Sequence, residues 1–477
     1  MMGIVIGLAM PTIVNQSFYR LTMIVLGILL MVGVIITRAP RQTFAIFLVI
    51  AIPLNLSFTP FGEAPWHSGG AQAVQVVYLY DVPLIGLIVF WALYSIATRR
   101  PGHITPTEFA YLAFIVWGLL SIQNSTEPQL TIMEVIRMFK LLLLGHVIAN
   151  TVITTSIVKR ILIALMLGLV IQSAFAFLQF SFEIDFGGIG FVVGDVRRVS
   201  GTIGWPNTLG AYAAAVLCIP VAMWMASAYR PYRLALTAVI VVGTVPLALS
   251  LSRGAWVALA IAVLAMYLLS LIRRFISLYG FAIQMLVLAC IVAAGGILLS
   301  EQIQERAAED TLSVRAYLNE IALSMTESEP LVGIGLNTFV ETMRDYDRRN
   351  VYAYFPEPVH NIFLLTMAET GIVGLGLFLS SIVFALRSAW EVIRHAEPEH
   401  AVATIGLVGA LIALMVSNLS DVHLRTDVLY ALWWVFIGLI LGMQRTTSAN
   451  KTRQPVVSNA DKELRLWHEN RSPRLWT

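Results

Sequence analysis

The chain has 477 residues, 58% of them apolar and only 12% charged, about half the ~25% charged share of soluble domains. A soluble globule of this length cannot hide that much apolar surface, so a soluble enzyme, a nucleic-acid binder and a secreted disulfide scaffold are excluded. The net charge of +3 is too small to argue for a polyanionic partner, and two cysteines, Cys218 and Cys290, allow neither a disulfide framework nor a zinc set.

The apolar content is enough for about fourteen membrane helices of ~20 residues each. Apolar runs fall at 3–14, 20–37, 42–56, 81–98, 107–122, 133–152 and 159–180, then at 206–227, 232–251, 254–272, 279–299, 360–388, 400–419 and 426–444. They are continuous rather than alternating, which excludes a β-barrel. The expectation is an all-α integral membrane protein of twelve to fourteen spans. Its largest outer loop, 301–359, lies between the eleventh and twelfth. The amino terminus does not read as a cleavable signal: its first basic residue is Arg20, after a short run that holds Pro11.

Basic residues set the orientation. Arg38 and Arg41, Arg99 and Arg100, Lys159 and Arg160, Arg230 and Arg233, Arg273 and Arg274, and Arg387 and Arg394 occupy every second connection. Loops 57–80 and 123–130 hold no Lys or Arg. The basic connections and the polar tail 445–477 therefore face the cytoplasm, and loops 57–80, 181–205, 301–359 and 420–425 face outward. The tail carries seven Lys or Arg and no apolar period, so it is expected to be disordered. Loop 301–359 carries eleven Asp or Glu against five Lys or Arg. Its segment 311–326 has a helical apolar face of Leu312, Tyr317, Leu318, Ile321 and Leu323.

An ionisable group at the edge of a span is costly and marks a functional site by default. Arg197 and Arg198 are two adjacent outer arginines, whose forked donors suit phosphate oxygens. They lead through Gly201-Thr202 to Pro206-Asn207, a pair suited to starting a helix. Arg253 sits in the tight turn Ser252-Arg253-Gly254-Ala255-Trp256 at the outer face, where the small Ser252 and Gly254 let a ligand approach. Arg315 lies among acidic residues, and a plain salt bridge is its alternative. The paired glycines of Pro330-Leu331-Val332-Gly333-Ile334-Gly335 follow no strand, so they read as a tight turn rather than a dinucleotide loop. His360 opens an apolar run on the outer side, whereas the other seven histidines, including His423 in its loop, look unremarkable. Glu134, Arg137 and Lys140 share one helix face, either to bind an anionic lipid head or to neutralise one another. With no P-loop and no metal-type cluster in the sequence, a bound diphosphate is expected to be held by arginines, without metal or cofactor.

These residues resemble the O-antigen ligase and polymerase family of polytopic membrane glycosyltransferases. The matching pieces are Arg198-x-x-Gly201-Thr202 with Pro206-Asn207, Ser252 to Trp256, Pro330 to Phe339, and His360-Asn361-x-x-Leu364 with Glu369-x-Gly371. They cover 200–390 within a membrane domain of 1–444. The resemblance implies an inverting, metal-independent glycosyltransferase of the bacterial cytoplasmic membrane, with its active site facing the periplasm or exterior. A glycan on a polyprenyl diphosphate would be the donor, and a glycan or lipid-borne sugar the acceptor. His360, Arg253 and Arg315 would be catalytic, while Arg197, Arg198, Asn207, Ser252 and Asn361 would bind substrate. Two other readings stand beside this one: an anion transporter of bicarbonate type, and a non-catalytic component of a polysaccharide export assembly.

Overall fold

The computed structural model describes residues 36–58, 77–99, 102–151, 154–184, 191–193, 196–276 and 311–453, with isolated positions between 25 and 34. The runs expected at 3–14 and 279–299, most of 20–37, and tail residues 454–477 lie outside the described residues. The protein is an all-α integral membrane protein. Its helices are α1 (Pro40–Ala51), α2 (Asp81–Thr98), α3 (Pro106–Leu120), α4 (Pro128–Thr151), α5 (Thr155–Phe182) and α6 (Pro206–Met225). They continue with α7 (Arg233–Leu249), α8 (Arg253–Ile272), α9 (Thr311–Ser328), α10 (Ile362–His395), α11 (Pro398–Ser417) and α12 (Asp427–Arg453). Among the described residues, eight helices are long and apolar enough to cross a membrane, namely α2, α5 to α8 and α10 to α12. Two short antiparallel hairpins join the helices, with several shorter helical turns: β1 (Ser57–Phe58) with β2 (Val77–Tyr78), and β3 (Phe191–Val193) with β4 (Val196–Arg198).

Local sequence starts the helices. Thr105 and Glu108 form a reciprocal capping box on α3, with Pro106 in its first turn. Asn361 Oδ1 accepts the N–H groups of Phe363 and Leu364 at 3.0 and 3.2 Å and caps α10. Pro206 opens α6 as expected, but Asn207 does not cap it.

The inner helices are α6 and α12, whose apolar windows are 89% and 94% buried, against 22% for α2 at the lipid-facing edge. Lipid is as apolar as leucine, so helix contact depends on close packing of small residues. Helix α6 supplies Gly210, Ala213, Ala214 and Ala215, all buried. A Cβ on Gly210 would lie 2.7 Å from Ser250 Oγ and 2.8 Å from Ser252 Cβ. That close approach draws the α7–α8 turn against α6.

Side-chain contacts gather the basic residues at one end of the bundle. There Lys159 meets Glu399 at 2.9 Å, Arg273 donates to the Arg394 carbonyl at 2.9 Å, and Arg160 reaches Gln42. The loops 196–205, 250–252, 329–361 and 418–426 meet at the other end.

A chain of buried charges joins α4, α10 and α12. Arg137 grips Glu134 through two bonds of 2.8 and 2.7 Å and lies 3.5 Å from Asp427. Arg425 lies 3.2 Å from Glu134 and also pairs with Glu369. Lys140 meets Asp81 at 3.2 Å. The Glu134, Arg137 and Lys140 face is thus occupied by partners inside the protein, which settles it as neutralisation rather than a lipid-head site.

Helix α10 is broken at Gly371, where φ is 67° and ψ is −176°. The break frees backbone groups that need partners, and the 330–335 turn supplies them. Ile334 N–H donates to the Ala368 carbonyl at 3.0 Å, Gly335 N–H to the Glu369 carbonyl at 3.1 Å, and Ile372 N–H to the Pro330 carbonyl at 2.9 Å. The glycine turn of the sequence is therefore the plug of a discontinuous helix. A Cβ on Gly371 would collide with the Leu331 carbonyl and would also need a left-handed φ. Gly371→Ala is therefore expected to cut the yield of folded, monodisperse protein severalfold in fluorescence-detected gel filtration. A normal profile would show that the plug is not needed.

Two details differ from the sequence reading. Helix α9 buries Tyr317, Leu318, Ile321, Ala322 and Met325, while Leu323 is exposed. At 100° per residue, Ala322 and Met325 continue the Leu318–Ile321 stripe and Leu323 falls on the opposite face. The last helix also runs on to Arg453, past the 445 boundary read as the start of a disordered tail.

Candidate functional site

The site is assembled by the connection between α11 and α12. Ile362 N–H donates to the Asn418 carbonyl at 3.0 Å, and Asn418 Oδ1 accepts from Leu424 N–H at 3.2 Å. The start of α10 is thereby fixed to the 418–424 turn. Within that turn, Ser420 is flanked from two directions. Arg315 Nη1 donates to the Ser420 carbonyl at 3.4 Å. From the other side, a Cβ on Gly254 would lie 2.9 Å from Ser420 Oγ, so the first turn of α8, which carries Arg253, abuts the same residue. The Arg253 side chain is exposed and has no hydrogen bond or ion pair among the described residues.

A polar relay enters from the other flank. Gln179 Oε1 accepts the N–H groups of Ser200 and Gly201, each at 2.9 Å, and Gln172 Nε2 donates to the Pro53 carbonyl at 2.6 Å. Asn55 Nδ2 donates to the Ile203 carbonyl at 2.9 Å. These bonds fasten loop 198–205 over the ends of α1 and α5. The loop presents Arg198, which is buried and donates from Nε to the Ser250 carbonyl at 3.0 Å and from Nη2 to Asn207 Oδ1 at 2.7 Å. Asn207 Nδ2 in turn donates to Asp421 Oδ2 at 3.0 Å. Val422 N–H donates to Asp421 Oδ1 at 2.8 Å, and His423 Nε2 lies 4.0 Å from Oδ2.

His360 stands at the centre. Its ring stacks on Phe355 at 5.8 Å and 23°. Its Nδ1 is buried and meets no partner in good hydrogen-bond geometry among the described residues. Burial pulls the His360 pKa below its ordinary value, against the pull of nearby Asp421. His423 is lowered in the same way. Burial would raise Asp421, but His423, His360, the Val422 N–H and Arg315 outweigh it and hold the carboxyl below the usual range. Burial and the Asp421 charge push Glu357 up to about 7. The face thus holds two neutral histidines, one firmly ionised carboxylate, one carboxyl near neutrality and three arginines, Arg198, Arg253 and Arg315.

Of the residues singled out in the sequence, His360, Arg315, Arg253, Ser252, Arg198, Asn207 and Asn361 meet at this end of the bundle. Arg197 sits in β4 opposite Val192. Asn361 has its oxygen occupied as the helix cap, and both ends of the Asn207 amide are occupied by protein partners. Asp421, His423 and Glu357 escaped the sequence reading. The signal for two of them was present: Asp421 and His423 stand two apart in a very short connection between two spans. Among the described residues, no three His, Cys, Asp or Glu side chains group closely enough to hold a metal ion.

No curated protein matches the chain. A solved chain from work on the structural coordination of polymerization and crosslinking by a peptidoglycan synthase complex aligns at 16% identity and a TM-score of 0.40. The alignment covers 71% of this chain and 96% of that one. Residues 238–379 match the family model described as O-antigen ligase. That stretch holds Arg253, Arg315, the 330–335 plug and His360, so the matched segment of this chain is similar to the O-antigen ligase family over the residues that build this end of the bundle.

Proposed function

We propose that this protein transfers a glycan from a polyprenyl-diphosphate donor to the hydroxyl of an acceptor sugar. The reaction takes place at the end of the bundle that carries His360. The basic residues gathered at the opposite end support a cytoplasmic placement of that end, which turns the site toward the periplasm or exterior of a bacterial cytoplasmic membrane. The observation that carries the reading is the approach to Ser420 of Arg315 on one side and of the first turn of α8, which carries Arg253, on the other, next to His360 and Asp421.

Breaking the anomeric C–O bond leaves negative charge on the departing diphosphate. Fixed guanidinium groups stabilise that charge without reorganising. The acceptor oxygen attacks the anomeric carbon, its proton passes to neutral His360, and the polyprenyl diphosphate leaves. A single displacement inverts the anomeric centre. Arg198 and Asn207 act here as positioning residues, since they hold Asp421 in place, and Asp421 stabilises the imidazolium that forms.

The test supplies purified protein with a defined polyprenyl-diphosphate glycan. Longer lipid-linked chains identify a polymerase, and transfer to a second lipid identifies a ligase. Lysine keeps the charge but loses the fork, so Arg253→Lys and Arg315→Lys should each lower turnover by about tenfold or more, and EDTA should change little. Full activity in both variants, or a strict need for a divalent ion, would overturn the arginine clamp.

A further inference from the structure

At the end of the bundle away from His360, a cavity of about 510 Å³ opens between the start of α1, the end of α2, the 102–105 linker and α12. It is lined by Arg41, Arg99 and Arg445, with His103, Trp91 and Tyr94. A span of ~18 residues at 1.5 Å per residue places it roughly 27 Å from the site, so nothing in the proposed transfer uses it.

Its charge is not balanced from within. The carboxylate near it, Glu108, is already engaged by His146 Nδ1 at 2.7 Å and by the Thr105 N–H at 2.7 Å, and Arg445 Nη2 is 3.6 Å away. Arg445 donates to the His103 carbonyl, yet its buried Nε has no hydrogen-bond partner among the described residues. The Arg41 guanidinium rests over the Tyr94 ring at 3.7 Å and over Phe90 at 5.0 Å, with no carboxylate beside it among the described residues. Arg99 caps α2 in a left-handed conformation, φ 51°, with its side chain exposed. Three cations thus converge on one partly enclosed space, where a shared acid serves only one of them. The face of α2 opposite the cavity turns Val89, Leu93 and Ile96 outward, 51%, 63% and 76% exposed, to the lipid, so the cavity sits behind a lipid-facing helix at the membrane surface. A ligand that fits has an anionic head with several acceptor oxygens.

We propose that this cavity binds a phosphate group, carried by the headgroup of an anionic phospholipid of the leaflet at this end. Guanidinium forks match phosphate oxygens bidentately, and an anionic headgroup brings the charge that Arg41, Arg99 and Arg445 lack. The aromatic rings of Trp91 and Tyr94 line the cavity and sit at headgroup depth, where an anionic phospholipid of the adjoining leaflet presents its phosphate.

The full chain in detergent is titrated with phosphatidylglycerol, with phosphatidylcholine, and with inorganic phosphate, and bound ligand is counted by native mass spectrometry while stability is followed by heating. The wild type is expected to retain one phosphatidylglycerol more than the Arg41→Gln/Arg99→Gln double variant, whose affinity should be weaker on the order of tenfold. Phosphatidylcholine should not distinguish the two. The Arg41→Lys/Arg99→Lys variant keeps the charges and should retain part of the binding, which separates a lost site from a damaged fold. Stabilisation by inorganic phosphate in the wild type alone, with phosphatidylglycerol no better than phosphatidylcholine, would overturn the lipid assignment in favour of a soluble phosphate. Equal binding of phosphatidylglycerol and of inorganic phosphate by the wild type and the Gln variant would overturn the site itself.

Discussion

Arg137→Met is expected to destabilise the protein by about 3–5 kcal/mol, the usual cost of removing one partner from a buried ion pair. The side chains of Arg137 and Glu134 are each only 3% exposed, and Arg137 also donates to the Arg425 carbonyl at 2.7 Å. Its removal leaves Glu134 facing Arg425 alone and Asp427 with no guanidinium, in surroundings that cannot hydrate them. The comparison that isolates the effect is a double variant, Glu134→Gln with Arg137→Met. It removes both charges together and leaves Arg425 with Glu369. The double variant should be the more stable of the two, because an uncompensated buried charge costs more than an absent pair. Midpoints of heating, read by gel filtration of the surviving folded protein, give the order. A single variant as stable as the wild type would mean that the network contributes nothing to folding.

His360→Ala is expected to lower turnover by about 10²–10⁴-fold, the usual contribution of a general base, with folding intact. The pH profile carries the sharper test. Only the neutral ring accepts the acceptor proton, so the rate falls as pH drops through the His360 pKa. Burial sets that value below the ordinary ~6.5, and the acid limb should therefore have its midpoint under about 6.5. Glu357, pushed up to about 7 by burial and Asp421, titrates on the same face. Any limb it adds should vanish in Glu357→Gln while the His360 limb remains. His360→Gln keeps a hydrogen-bonding group but no comparable base. Near-normal turnover in that variant, with an unchanged profile, would remove the base assignment and leave the glycan-transfer reading standing.

Hydropathy and charge bias are local properties, and they suffice to make the membrane character of this chain legible. The runs at 81–98, 206–227 and 254–272 became α2, α6 and α8 within a few residues, since a helix in lipid satisfies its own backbone and needs little from elsewhere. The helix in the loop 301–359 was legible from its apolar stripe. Arg253, Arg315 and His360, singled out separately in the sequence, all lie at one end of the bundle.

What the sequence could not supply was any contact between distant positions. Asp421 matters because Asn207 reaches it from α6, Arg315 approaches its neighbour Ser420 from α9, and His360 stands beside it at the start of α10. Nothing in the residues around 421 encodes those three arrivals. Glu134 looked like half of an i, i+3 pair, and only packing revealed Arg425 and, through it, Glu369 as the rest of its network. The 330–335 glycines read as a turn, but their purpose lay in the break at Gly371, thirty-odd positions on by sequence and in hydrogen-bond contact in space. Composition and periodicity therefore determined which segments enter the membrane. The tertiary structure alone decided which charges compensate one another and which polar groups converge, because both depend on distances between helices that no local pattern specifies.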